Sequence, residues 1–273
     1  MKKARVITVM ALGLAFLAAC AHTTQTASNA GPSLQRILQK GELVIGTAAS
    51  MPPLNMTTRD GSVIGLEVDL AQSMANAMGV QLKIESMEFS KLVSSLENGK
   101  VDMILSGMTI TPKRNLKIAF VGPYFISGKA FLTKIETIAS ATDPVEINSP
   151  NVRLTALRGS TSQAFIETIL PNVQFVPADK YDQAVQMVID DKVDALFADY
   201  PICVVSIFRY PDRGLVSVIT PLTYEPLGIG IPAGDPHLIN WMENFLNNLE
   251  GSGQLEEMTE RWFGEDFWLK QLP

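Results

Sequence analysis

Histidine is almost missing from this chain of 273 residues, which carries only His22 and His237. A histidine-based catalytic triad or a zinc site of the usual composition therefore has no support. Cysteine is equally scarce, with Cys20 near the start and Cys203 in the body. A body with one cysteine forms no internal disulfide, and Cys203, inside the apolar run Ile202 to Ile207, reads as a small core residue. There is no Gly-x-Ser-x-Gly elbow. The stretch Gly122 to Lys129 has the outline of a phosphate loop, but its glycine spacing is wrong and Ala130 stands where Ser or Thr is needed. Positive charge is short as well: 22 Lys and Arg against 28 Asp and Glu leave a net charge of −6. That excludes a nucleic-acid surface, which has to be basic. After the N-terminal segment no apolar run approaches the roughly 20 residues that span a bilayer, so a second membrane segment is excluded too.

What the N-terminus does contain is an export pattern. Lys2, Lys3 and Arg5 form a basic start, Val6 to Ala19 is uncharged, and small residues precede Cys20. These features predict a signal peptide over residues 1–19. The run Leu17-Ala18-Ala19-Cys20 resembles the lipobox of bacterial lipoproteins, in which the cysteine becomes the acylated N-terminus. The expectation is lipidation at Cys20 and residence in the periplasm or at the cell surface, held to a membrane by acyl chains. Each buried CH₂ of such a chain contributes about 0.8 kcal/mol. Residues 20–31 then read as a tether: the segment AHTTQTASNAG is small, polar and aperiodic, and would average about 18 Å end to end.

The body alternates strand and helix, the mark of an α/β architecture. Strands are expected at 42–47, 80–84 and 102–106, with helices at 66–78 and from Phe89 to Leu96. A similar course follows: strands at 153–157, 173–176 and 194–198, and helices from Thr161 to Leu170 and from Tyr181 to Ile189. Both halves contain Lys-Val-Asp ahead of an apolar strand, at Lys100 to Asp102 and Lys192 to Asp194. Extended stretches at 124–133 and 224–232 separate the halves, and two helices close the chain. This course predicts two lobes, residues 32–126 plus 228–273 and residues 127–227, joined by a two-strand hinge.

Ligands of open α/β sheets bind beyond the carboxyl ends of the strands. That rule selects Ala48 to Met51, Ser106 to Thr109, Leu157 to Thr161, and Ala198-Asp199. Arg114 follows Thr109 closely and offers a planar fork for a carboxylate. Thr109 and the backbone at Gly107 can add hydrogen bonds. Ser160 and Thr161 open a helix, where free N–H groups favour an anion. Asp199 suits an ammonium. Taken singly, Arg114 reads equally as a surface charge, and Thr161 and Asp199 as helix N-caps.

The runs Gly41 to Thr47, Gly65-Leu-Glu-Val-Asp-Leu-Ala71, Ser106-Gly-Met-Thr-Ile-Thr-Pro-Lys-Arg114, Leu157 to Thr161 and Val193 to Asp199 together resemble family 3 extracellular solute-binding proteins, the polar amino acid receptors of ABC importers. The resemblance covers about residues 33–265 and implies the two-lobed, type II periplasmic binding protein fold. It also implies an amino acid or related carboxylate as ligand and an ABC permease as partner, with no cofactor and no metal. Arg114, Thr109 and the backbone near Gly107 would hold the ligand carboxylate with Thr161, Asp199 its ammonium, and Phe89 would pack on its side chain. Many members carry an acidic residue at the position of Ala48 and an aromatic one at that of Met51. Here Ala48, Met51, Leu157 and Ala198 are apolar, so an uncharged side chain is expected, because a charged one would lose hydration without a partner. A non-enzymatic monomer that closes on its ligand is the expected mode of action. Cyclohexadienyl dehydratases also resemble this chain, including a start like Leu34-Gln-Arg-Ile-Leu38. The carboxylate expected just after the second-lobe Asp in that family is missing from Tyr200-Pro201-Ile202-Cys203. A structural lipoprotein with a vestigial cleft is the remaining alternative.

Overall fold

The computed structural model describes residues 31–217 and 221–273. The expected signal peptide, Cys20 and all but the end of the tether lie outside the described residues. In chain order the first half contains α1 (Pro32–Lys40), β1 (Glu42–Thr47), β2 (Ser50–Met51), β3 (Asn55–Thr57), β4 (Val63–Ile64), α2 (Leu66–Met78), β5 (Gln81–Ser86), α3 (Leu92–Glu97), β6 (Met103–Ile104), α4 (Pro112–Asn115) and β7 (Ala119–Ser127). Next come β8 (Lys129–Thr133), α5 (Glu136–Ala139), β9 (Arg153–Leu157), α6 (Thr161–Ile169), β10 (Gln174–Ala178), α7 (Tyr181–Ile189), β11 (Ala195–Asp199), α8 (Tyr200–Arg209) and β12 (Val216–Ser217). The chain finishes with β13 (Glu225–Ile231), α9 (Pro236–Gly251) and α10 (Gln254–Gly264).

These strands build two five-stranded sheets, ordered β5-β1-β6-β13-β7 and β10-β9-β11-β8-β12, and a small antiparallel sheet β2-β3-β4. In the first large sheet β1 runs parallel to β5 and β6, while β13 is antiparallel to β6 and β7. The second repeats the plan: β9 is parallel to β10 and β11, and β8 is antiparallel to β11. This is the mixed, open-sheet architecture of the type II binding fold. The two crossings are β7 and β13, paired from Glu225↔Ser127 to Ile231↔Ala119. The extended stretch expected at 124–133 is therefore two strands, broken at Gly128 and belonging to different sheets.

Local sequence explains the elements that carry the site. In α2 the apolar stripe Leu66, Leu70 and Met74 is fully buried, each side chain contributing about 2 kcal/mol by leaving water. Gly79 ends that helix in the left-handed region, φ 68°, where a side chain would be strained. In the second lobe Phe131, Phe165 and Phe197 form a chain of tilted rings with centroids 4.6 and 4.9 Å apart. The repeated Lys-Val-Asp signature has one structural cause in both lobes. Asp102 accepts the Val44 N–H at 2.9 Å and the Arg36 guanidinium at 2.8 Å. Asp194 accepts the Arg153 N–H at 2.7 Å and the Arg153 guanidinium at 2.6 Å. Each Asp thus pins the start of the strand beside its own, which fixes where both strands end at the cleft.

Candidate functional site

The carboxyl ends of β1, β6, β9 and β11 meet between the lobes, and one small cavity there is lined by all ten residues singled out from the sequence. They are Met51, Phe89, Ser106, Gly107, Thr109, Arg114, Leu157, Ser160, Thr161 and Asp199, joined by Ala48, Ser50, Lys129 and Tyr181. The lobes are closed: the open space is about 10 Å³, on the order of one water molecule. A solute larger than water enters only if the lobes part.

Arg114 comes from α4. The preceding Thr111 caps that turn by accepting the Arg114 N–H at 3.2 Å, and Pro112 fixes its first residue. The guanidinium donates to Thr109 O at 2.8 Å and, across the cleft, to Gly159 O at 3.2 Å. It lies over the Phe89 ring, 5.4 Å from the centroid. Among the described residues it forms no ion pair with a carboxylate, and burial lowers its pKa from the ordinary guanidinium value, against the opposing pull of Glu225 and Asp199.

Asp199 ends β11 and is the N-cap residue of α8, yet its side chain makes no capping hydrogen bond. The carboxylate turns into the cleft instead. Oδ2 accepts from Lys129 Nζ at 2.6 Å and from the Tyr181 hydroxyl at 3.2 Å. Oδ1 is buried and has no hydrogen-bond partner. A buried carboxylate oxygen without a donor is costly, and an ammonium is the group that relieves it. Burial, reinforced by Asp199, pushes the Tyr181 phenol well above its ordinary pKa, so it stays a donor.

Several of these groups have partners within the chain. The Gly107 N–H is not free for a ligand, because Glu67 Oε1 accepts it at 2.7 Å. The Thr109 and Thr161 hydroxyls are also engaged: both donate to Glu225 Oε2, at 2.8 and 3.0 Å. The cap of α6 is Ser160, which accepts the Gln163 N–H at 3.2 Å, and Thr161 is the first residue of the helix. Ser106 likewise has a partner, accepting the Ala48 N–H at 2.8 Å.

Sequence reasoning missed Lys129, Tyr181, Glu225 and Glu67. Lys129 heads the otherwise apolar strand Lys-Ala-Phe-Leu-Thr, and its side chain is 3% exposed. A lysine at that place in a buried strand was the available signal. Tyr181 read only as one residue of an apolar helical stripe. Glu67 is fully buried, and besides Gly107 it receives the Tyr124 hydroxyl and, at 2.7 Å, Asn55 Nδ2. Asn55 Oδ1 in turn accepts the Ser50 N–H at 3.0 Å. Glu67 therefore ties the two first-lobe cleft loops to β7. At Gly107, φ is 59°, a left-handed conformation that strains other residues, and a Cβ would also push on the Met51 side chain 2.2 Å away, so glycine is favoured where these loops meet.

Two α/β lobes joined by paired hinge strands, with a guanidinium and a half-satisfied carboxylate at their junction, define a two-lobed solute-binding protein. The chain belongs to the bacterial extracellular solute-binding proteins, family 3, whose model matches residues 43–265. It is similar to ABC transporter arginine-binding protein 1 of Escherichia coli (strain K12), 25% identical over 80% of this chain and 89% of that one. It is also similar to the L-cystine-binding protein TcyJ of the same strain, 23% identical over 85% and 86%. Among solved structures, a lysine complex of a protein assigned as the binding component of an ABC transporter from Wolinella succinogenes DSM 1740 superposes with a TM-score of 0.78. It is 36% identical and covers 85% of this chain and 99% of that one. The ancestral amino acid-binding protein AncCDT-1, a precursor of cyclohexadienyl dehydratase, superposes with a TM-score of 0.76 at 30% identity, over 85% and 99%.

Proposed function

We propose that this protein is the receptor of an ABC importer and captures a zwitterionic α-amino acid with an uncharged side chain. The observation that carries this reading is the orphaned Asp199 Oδ1, with Arg114 on the opposite lobe free of any carboxylate partner among the described residues. A ligand ammonium satisfies the first, and a ligand carboxylate the second with help from the N-terminus of α6. The relatives above are named for arginine and cystine, and a further one for glutamate. Their side chains differ in charge, and what they share is the α-amino acid head. The side-chain end here is bounded by Ala48, Met51, Phe89 and Leu157, which favours an uncharged group.

Closure is the working step. Ligand that touches both lobes binds the closed form better than the open one and shifts the hinge accordingly. The lobes divide at residues 126–127 and 227–228, and the protein works as a monomer that presents its closed form to a permease. Export, cleavage before Cys20 and acylation of Cys20 complete the reading. Loss of palmitate labelling in Cys20→Ser tests the anchor, and retained labelling contradicts it.

The dehydratase alternative is disfavoured because Glu225, the carboxylate that shares Lys129 with Asp199, acts as acceptor to Thr109, Thr161 and Thr223 and is poorly placed to donate a proton. Turnover of prephenate or arogenate would reinstate it. The direct test of the receptor reading is a thermal-shift screen against amino acids and small carboxylates. A true ligand at 100 times its Kd adds about 2.7 kcal/mol of stability. No shift with any α-amino acid would refute the proposal.

A further inference from the structure

Lys129 and Glu225 place a second pair of opposite charges in a site that already holds Arg114 and Asp199. Lys129 Nζ lies 2.6 Å from Asp199 Oδ2 and 3.8 Å from Glu225 Oε2. Its side chain is 3% exposed and those of the two carboxylates 2% and 10%. Solvent therefore screens these charges little. One lysine faces two carboxylates, and the guanidinium of Arg114 faces backbone carbonyls. The cleft thus has an anionic end and a cationic end, and the charges of these four side chains sum to zero.

We propose that Lys129 and Glu225 determine the charge class of the ligand by setting the net charge of the closed cleft. The inference rests on the amino-acid reading of the site. A neutral cleft closes without penalty on a neutral zwitterion. A cationic amino acid would bring an extra positive charge into an enclosure that already holds Lys129, and an anionic one would meet Glu225 and Asp199. At cleft distances one uncompensated charge in a weakly screened site is worth more than tenfold in Kd.

Three variants change the count in three ways. Lys129→Met leaves the cleft one unit negative. Glu225→Gln leaves it one unit positive. The double variant Lys129→Met/Glu225→Gln restores neutrality without either group. Each is titrated calorimetrically with leucine, glutamine, arginine, lysine and glutamate. The expected result is at least a tenfold rise in the ratio of arginine or lysine affinity to neutral affinity for Lys129→Met. Glu225→Gln should show a rise of similar size for glutamate, and the double variant should return to the wild-type order. If Lys129→Met alone fails to fold, the other two variants carry the test, since Glu225→Gln is expected to favour glutamate and the double variant to keep the wild-type order. Selectivity that is unchanged in Glu225→Gln, or a double variant that keeps a charged preference, overturns the inference. Failure of the wild type to bind any of the five overturns the amino-acid reading instead.

Discussion

Arg114 of the first lobe donates a hydrogen bond to Gly159 O of the second, at 3.2 Å. The guanidinium is thus an interlobe tie as well as the proposed anion-binding group, and its replacement should affect capture more than folding. Hydrogen bonds to charged groups contribute about 1.5–3 kcal/mol. Arg114→Ala is expected to weaken ligand binding more than tenfold with an unchanged circular dichroism spectrum. Arg114→Lys, which keeps the charge and loses the fork, should fall between the two. An unchanged affinity in Arg114→Ala would remove it from the site.

Glu67 is a positioning residue. It collects donors from Gly107, Tyr124 and Asn55 in a fully buried place, and its loss leaves them unpartnered. Glu67→Ala is expected to cost about 3 kcal/mol, read as a lower urea midpoint at unchanged slope. Ligand affinity should fall as well, because the loops at 48–51 and 106–109 lose their common anchor.

Asp235 joins the first helix to the ninth. Its carboxylate accepts the N–H groups of Ser33 and Leu34 at 2.7 and 2.9 Å and that of Leu238 at 2.9 Å. Burial works to raise its pKa, but these backbone donors together with His237 outweigh it and hold the carboxyl below its ordinary value. A depressed carboxyl stabilises the fold above the unfolded-state value of about 4 and loses that contribution as pH falls through the folded one. The melting temperature should therefore drop more steeply as pH falls below about 4 in the wild type than in Asp235→Asn. Parallel curves would show that the carboxylate is not the group responsible.

The helical stripes of α2 and α7 were legible because their apolar residues recur at helical spacing and a whole face is buried. The strand ends were legible because the strands are short continuous apolar runs bounded by polar or glycine residues, and with them the segments that carry Arg114, Thr109, Thr161 and Asp199. The sheet β2-β3-β4 was not, since strands of two or three residues hold too little of a period to recognise. Lys129 and Glu225 escaped for another reason. Each is a single charge in an extended apolar stretch, and the Lys129 partner Asp199 is 70 residues away. Strand register sets Asp199 of β11 opposite Lys129 of β8 within one sheet, and Glu225 reaches the pair from the start of β13 in the other. Local pattern placed Ser160 and Thr161 together at the start of a helix, and the structure makes Ser160 the cap, in keeping with the better capping rank of Ser over Thr.

Cys203 is fully buried on α8, and burial pushes its thiol up to about 12. A thiol that stays protonated is unreactive. With Cys20→Ser as background, the folded protein at neutral pH should resist alkylation by iodoacetamide and react only after denaturation. Rapid labelling of the native form would place Cys203 at an accessible position instead.

The central claim is that Arg114 and Asp199 grip the two ends of a neutral zwitterion while an apolar wall receives its side chain. Isothermal titration of the wild type with one amino acid of each charge class tests it most directly. Binding of leucine or glutamine at least tenfold tighter than arginine, lysine or glutamate is the predicted result. Tightest binding of arginine, lysine or glutamate would contradict it.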